Sequence, residues 1–373
     1  MTYRHTYRVA LVIASALIAL FIGEVGLRVI DKPKPSLSGW KALNGSAAEV
    51  NQLGFRGQPV EYTDKDFVVV LLGDSQVEAV ACAYEWMPER RLQFYLNSTG
   101  RRVRVFSVGA SGYGQDQELL ALREYLGKFR ADLVVLWETP TNDIWNNLFP
   151  THFPADGRPK PTFWLEGGRL RGPSEGIGQP IGEAPRLKLQ LLWQRLSPRS
   201  RDAHWENMYP PAYRPQPCAG ESVKDDWQRS WESNARSMGD ENLGNEKSHL
   251  AVFLTPRSER MQYGLDLTRQ LLQEIERLAH GQFTIFATQL PPSEGSGRND
   301  GIHILWGKCY RTSEAQYYAN IDYMNHGFNF SSIPVTVEQW AVGPDNPHLN
   351  EHATDQVMKD LAGRIETFIP VTE

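Results

Sequence analysis

Cysteine is scarce in this chain, and what little there is has no pattern. Cys82, Cys218 and Cys309 are an odd count without metal-ligand spacing, so at most one disulfide can form, and the sequence does not say which pair makes it. There is no C-x-x-C, no H-E-x-x-H and no Walker-type glycine loop, so no metal or cofactor is expected. A basic stripe is also missing. The net charge of -5 gives no hint of a nucleic-acid partner. No internal repeat is visible, and nothing in the sequence fixes the oligomeric state.

What is present is an ordinary globular composition. With 373 residues, 41% hydrophobic and 22% charged, the chain can build one large α/β domain with insertions, or two domains. Eleven tryptophans and 24 prolines are a high load and crowd into the middle of the chain. They would suit an aromatic-lined surface that stacks on sugar rings, although packing irregular loops is the plainer use for them.

The first 30 residues carry Arg4 and Arg8, then an uncharged apolar run from Val9 to Ile22, with apolar character resuming over Val25 to Ile30. Residues 1–30 are therefore expected to be a signal-anchor that spans the membrane once, with a cleaved signal peptide or a buried amphipathic helix as alternatives. Arg4 and Arg8 would stay inside. In a bacterium this predicts an inner-membrane protein whose bulk lies in the periplasm. Residues 31–65 read as a linker and a loop packing on the main domain, and within them Asn51-Gln-Leu-Gly-Phe-Arg-Gly57 suggests no chemistry of its own.

The main domain, residues 66–373, begins with Phe67-Val-Val-Val-Leu-Leu-Gly-Asp-Ser75-Gln76. Three consecutive valines in an unbroken apolar run describe a strand buried on both sheet faces, and Gly-Asp-Ser suits a tight turn at its carboxyl end. Open α/β sheets place their chemistry there. A serine opening the next helix would have an exposed hydroxyl and a backbone N–H free to donate.

The alternation continues with a helix from Pro88 to Asn97, a strand from Val103 to Val108, the glycine-rich turn Gly109-Ala-Ser-Gly112-Tyr-Gly114 and a helix from Asp116 to Lys128. A third strand, Asp132 to Trp137, runs into Glu138-Thr-Pro-Thr-Asn142-Asp143. This predicts a three-layer, flavodoxin-like parallel sheet whose carboxyl-end turns gather on one edge. Residues 150–247, rich in Pro, Gly, Arg and Trp, break the pattern and read as an insertion with helices near 185–196 and 222–238 that covers the site. Regular sequence returns with an expected strand His249 to Leu254, a helix Leu265 to Ala279, a strand Phe283 to Thr288 and a last helix Glu351 to Phe368.

That last helix follows Asp345-Asn-Pro-His348-Leu-Asn350. A serine that attacks an acyl carbon needs an imidazole in hydrogen-bond reach, and the imidazole needs a carboxylate to fix its tautomer. Asp345 and His348 sit three apart in one turn and can share that edge of the sheet. Taken in order, Gly73-Asp74-Ser75, Gly112, Thr141-Asn142-Asp143 and Asp345-x-x-His348 resemble the SGNH subgroup of the GDSL hydrolases.

The resemblance implies that fold for residues 66–373, less the insertion, and assigns roles position by position. Ser75 would be the nucleophile, His348 the base and Asp345 its orienting acid. The oxyanion donors would be the Ser75 and Gly112 N–H groups and the Asn142 side-chain amide. Asp74 is expected to hold the turn instead of acting as an acid. Two departures stand out: Pro140-Thr-Asn-Asp where the family has Gly-x-Asn-Asp, and Ser107 ahead of the second motif. A competing stretch, Gly297-Arg-Asn-Asp300-Gly-Ile-His303, matches the third and fourth motifs at once. It shares Asp300 between them, and His303 leads into no closing helix, so His348 is preferred. The remaining histidines, His249 included, are expected to be surface or structural.

The anchored layout and Asn51-x-x-Gly-Phe-Arg-Gly57, together with Gly-Asp-Ser and Asp-x-x-His-Leu-Asn, resemble envelope proteins related to the alginate O-acetyltransferases, and the Trp-rich insertion separately suits a carbohydrate partner. That likeness implies O-acetylesterase or O-acetyltransferase chemistry on a carbohydrate or small ester, with a cell-envelope or exported polysaccharide as the expected substrate. A lipase-like or thioesterase activity is one alternative, and a non-catalytic glycan-binding subunit retaining the fold is the other.

Overall fold

The computed structural model describes residues 2–30, 49–149, 151–152, 158–173, 209–216, 218, 243–290, 300–305, 308–343 and 346–370. Helix α1 (Thr2–Ile30) opens the chain, and its apolar side chains, Leu11, Ile18 and Phe21 among them, are exposed. Among the described residues no helix is long and apolar enough to cross a membrane. The spanning segment expected from the sequence is therefore not found. The uncharged apolar run, Val9 to Ile22, is shorter than the ~20 residues a span requires, and Glu24 follows it.

The body is built on β1 (Phe67–Gly73), β2 (Val103–Gly109), β3 (Leu133–Glu138), β4 (Thr284–Gln289) and β5 (Phe330–Ser332). They pair in the order β2-β1-β3-β4-β5, and every pair is parallel. That order reverses direction between β1 and β3, the switch point at which doubly wound sheets open a crevice. The valine and leucine runs of the central strands are buried on both faces, as their lack of polar alternation requires. Val70, Leu72, Val134 and Leu136 point to one face, packed with α4 (Gln115–Tyr125), α5 (Pro140–Leu148), α6 (Glu259–Ala279) and α7 (Glu314–Asn325). Val69, Leu71, Val135 and Trp137 point to the other, packed with α3 (Pro88–Ser98) and α8 (Glu351–Ile365).

Helix starts follow local chemistry. Pro88 and Pro140 open α3 and α5, Ser258 caps α6 by accepting from the Met261 N–H at 2.8 Å, and Asn350 caps α8 by accepting from the Ala353 N–H at 2.9 Å. The expected strand at His249 to Leu254 is instead a buried turn of 3₁₀ helix, Ala251–Phe253. The sheet position beside β4 is taken by the short β5, and the Val252 carbonyl accepts from the Asn320 side chain at 2.7 Å. A short apolar run does not by itself separate a strand from other buried backbone.

The described parts of the insertion are bolted to the body. Tyr209 Oη donates to the Leu148 carbonyl, and Leu165 N–H donates to Tyr263 Oη at 3.0 Å. Lys160, fully buried, pairs with the equally buried Asp116 at the start of α4. The helices expected near 185–196 and 222–238, and Trp193, Trp205, Trp227 and Trp231, lie outside the described residues. The disulfide joins Cys218 to Cys309 across 91 residues, and Cys82 is free and buried. By the chain-entropy argument a closure of that length stabilises the fold by about 4–5 kcal/mol.

Candidate active site

Ser75 stands where β1 ends. It is the first residue of the four-residue helix α2 (Ser75–Glu78), and Asp74 caps that helix by accepting from the Gln76 N–H at 2.9 Å. A first-turn N–H has no carbonyl to serve inside its own helix, so the Ser75 amide points outward. The turn is tight because Gly73 lets it be. A Cβ there would lie 2.7 Å from Val77 Cγ2 and 2.9 Å from the Trp137 carbonyl oxygen, closer than packed atoms approach.

The turn after β2 brings a second donor to the same edge. The N–H groups of Ala110, Ser111, Tyr113 and Gly114 are given to the Gly73 carbonyl, Glu78 Oε2, the Ala110 carbonyl and Gln117 Oε1. Among the described residues no acceptor is present for the Gly112 N–H. Gly112 has φ +75°, which is why the turn carries glycine. From the third loop, Asn142 lies in the first turn of α5, and its Nδ2 donates to Asp74 Oδ2 at 3.0 Å. That amide has a second N–H to offer. Neighbouring Asp143 is structural: its Oδ2 accepts from the Thr139 N–H and from Gln115 Nε2, each at 2.7 Å, tying α5 to α4.

The imidazole arrives on a hairpin. Ala341–Gly343 pairs with Asn346–Leu349, and His348 Nε2 lies 2.8 Å from Ser75 Oγ. The strand is seated on the nucleophile turn, because Leu349 N–H reaches Gln76 Oε1 at 3.5 Å and the Leu349 carbonyl accepts from Cys82 Sγ at 3.4 Å. Asp345 lies outside the described residues. The competing histidine is elsewhere. His303 is buried in the strand Gly301–Leu305, where its Nε2 is 2.6 Å from Thr312 Oγ1, and Asp300 Oδ1 accepts from the Glu314 N–H at the start of α7. His249 is closer to the chemistry than its sequence context suggests. Its ring meets Trp145 of α5 edge-on, with centroids 5.8 Å apart, and its charge acts on His348.

Electrostatics suit the Ser75–His348 pair to proton transfer. Burial holds the His348 imidazole below its usual value, with His249 adding to the effect and the Asp74 carboxylate opposing it. His348 is therefore neutral near pH 7, with a lone pair for the serine proton. Burial raises Asp74 in turn, against the hydrogen bonds from Gln76 and Asn142 and the attraction of His348. Beneath the site the same desolvation keeps Asp143 and Glu118 well above the carboxylate range, each made worse by the other acids nearby.

Glu138, at the end of β3, is pushed by burial to about 8 against the bond it accepts from Asn325 at 2.9 Å. The folded chain thus holds a proton there that the unfolded chain releases above its ordinary value of 4.5. That contribution is whole below the ordinary value and is lost as pH rises through about 8, at roughly 1.4 kcal/mol per pH unit inside the window. The melting temperature should fall from pH 5 to pH 8, and Glu138→Gln, which can still accept from Asn325, should flatten the fall. An equally steep fall in that variant would remove Glu138 as its source.

No family model matches the chain, and no curated protein matches it. Among solved structures it is similar to a lipase/acylhydrolase from Enterococcus faecalis, at 10% identity over 82% of this chain and 99% of that one, with a TM-score of 0.36. It is also similar to a carbohydrate acetylesterase family member from Sinorhizobium meliloti, at 11% identity over 81% of this chain and 98% of that one, with a TM-score of 0.35. Likenesses of this size carry no argument about the chain. Its own fold and site define an α/β protein with a five-stranded parallel sheet and a serine–histidine pair at the β1/β3 switch point.

Proposed function

We propose that this protein is a serine-dependent esterase or O-acyltransferase that forms an acetyl-Ser75 intermediate and acts on acetyl groups of a cell-envelope or exported polysaccharide. The observation that carries the reading is the 2.8 Å contact between His348 Nε2 and Ser75 Oγ at the carboxyl end of β1. Ser75 Oγ attacks the ester carbonyl as His348 Nε2 takes its proton. The oxyanion is received by the Ser75 and Gly112 N–H groups and the second N–H of Asn142. Collapse expels the alcohol, protonated by His348, and leaves the acyl group on Ser75. Water or a sugar hydroxyl, deprotonated by His348, then repeats the sequence in reverse. Asp345 is assigned the role of orienting the imidazole.

One feature supports an extracytoplasmic setting: the Cys218–Cys309 disulfide belongs to an oxidising compartment. The Trp-rich insertion is the part suited to choosing a glycan.

The test is acetate release from a chromogenic acetyl ester by wild type and Ser75→Ala. A rate in wild type no higher than in the variant would end the enzyme reading. Mass spectrometry of products formed with an acetylated donor and an oligosaccharide acceptor then separates transfer from hydrolysis.

A further inference from the structure

The turn that follows α2 touches all three parts of the site. Glu78 Oε2 accepts from both the N–H and the hydroxyl of Ser111, the residue before Gly112. Cys82 Sγ meets the Leu349 carbonyl, one residue after His348, and the Ala83 N–H donates to Glu351 Oε1 at 3.0 Å in the first turn of α8. Ser75 itself is held through α2, whose last bond runs from the Ala79 N–H to the Ser75 carbonyl at 2.9 Å. The segment between Ser75 and Ala83 is thus the joint between nucleophile, oxyanion turn and base.

Besides its own backbone bonds, among them Cys82 N–H to the Ala79 carbonyl at 3.0 Å, this joint is held by a side chain from elsewhere. Ala79 caps α2 with φ +47°, a left-handed conformation that costs a residue with a Cβ roughly 1–2 kcal/mol. The carbonyls of Glu78, Ala79 and Cys82 all turn toward one side chain that comes from outside the main domain. Arg56 Nη1 donates to the Glu78 carbonyl at 3.3 Å and to the Ala79 carbonyl, and Nη2 donates to the Cys82 carbonyl at 2.9 Å. The Arg56 guanidinium is buried, and its Nε is paired with Glu49 Oε2 at 3.0 Å.

The rest of the Asn51 to Gly57 stretch fixes that arginine in place. Asn51 Oδ1 accepts from the Leu53 and Phe55 N–H groups at 3.0 and 3.2 Å, while its Nδ2 donates to the Ser107 carbonyl of β2 at 3.2 Å. Glu89 of α3 accepts from the Gln58 N–H and, at 2.7 Å, from the Ser107 N–H. Phe55 is buried edge-on against Tyr113 of the oxyanion turn, with centroids 6.3 Å apart.

We infer that Arg56 is a positioning residue of the active site: its guanidinium sets the Glu78 to Cys82 turn, and through the Glu78 carboxylate it sets the Gly112 amide relative to Ser75. The inference rests on the serine-enzyme reading. It gives the otherwise silent Asn51 to Gly57 stretch a purpose, which is to deliver one planar fork to three converging carbonyls. A lysine, with a single point of charge, does not reproduce that geometry.

The experiment measures kcat and KM for a chromogenic acetyl ester in the full chain with Arg56→Ala, Arg56→Lys and Glu78→Ala, per serine titrated with a fluorophosphonate. Misplacing one oxyanion donor should lower kcat about 10²-fold with KM changed less than about threefold. Millimolar guanidinium should restore part of the rate in Arg56→Ala, and Arg56→Lys should lie between Arg56→Ala and wild type. A merely structural role predicts a lower melting temperature with full kcat per titrated serine and no guanidinium rescue, and that result would overturn the inference. Should Arg56→Ala not fold, Glu78→Ala decides, because it removes the acceptor for Ser111 while leaving the guanidinium and its three carbonyls in place: unchanged kcat overturns the link to the oxyanion turn. Wild type no faster than Ser75→Ala would overturn the enzyme reading and this inference together, whereas full kcat in Arg56→Ala overturns this inference alone.

Discussion

Alanine at His348 is expected to reduce kcat/KM for an acetyl ester by about 10³–10⁵, close to the effect of Ser75→Ala, while alanine at His303 leaves the rate per folded molecule unchanged. The two substitutions distinguish two stretches that share the same motif letters. His348 Nε2 is 2.8 Å from the serine oxygen, and removing it leaves Ser75 with no group to take its proton. His303 spends its Nε2 on Thr312 inside a hairpin, so its loss should appear in the melting temperature and not in the chemistry. Loss of rate in His303→Ala alone would mean the wrong histidine has been identified as base. The pH profile gives an independent reading. Burial and His249 hold His348 below its usual 6.5, so the acid limb of kcat/KM in wild type should lie under that value. The limb should be absent from the residual rate of His348→Ala.

The parts of this site that could be read from the sequence are those written in contiguous residues. The β1 run has three valines because both of its faces are covered, and the Gly-Asp-Ser turn must be small because Val77 and the Trp137 carbonyl crowd Gly73. The helix starts at Pro88 and Asn350 are equally local. What could not be read depends on partners far away in the chain. The three residues of β5 become a strand only because β4 offers them an edge. The buried segment at Ala251–Phe253 looks like a strand until Asn320 and that occupied edge decide otherwise. Arg56 was silent for the same reason, since its three carbonyl partners lie 22 to 26 residues away in a turn whose shape no local rule predicts. His249 had no signal at all, because its relation to His348 is made by the packing of its loop on Trp145.

Asn142 carries the second large expectation. Asn142→Ala should lower kcat by about 10²–10³, equivalent to roughly 3–4 kcal/mol of transition-state stabilisation, with little change in KM. The amide has two N–H groups, and Asp74 takes one at 3.0 Å, which aims the group and leaves the other for the oxyanion. Two consequences therefore separate in the variants. If Asn142 served only to satisfy Asp74, its loss would cost stability while kcat per titrated serine stayed whole. If it also binds the oxyanion, the affinity of a boronate that mimics the tetrahedral adduct should fall in parallel with kcat/KM. Asn142→Asp sharpens the comparison. It would place two carboxyl groups in contact over a buried site, so one of them must hold a proton, and no neutral-pH arrangement restores an N–H donor. At pH 7 it should be no more active than Asn142→Ala and should bind the boronate no better. A near-wild-type rate in Asn142→Asp would show that the third loop contributes shape and not a donor, leaving the Ser75 and Gly112 amides to hold the oxyanion alone.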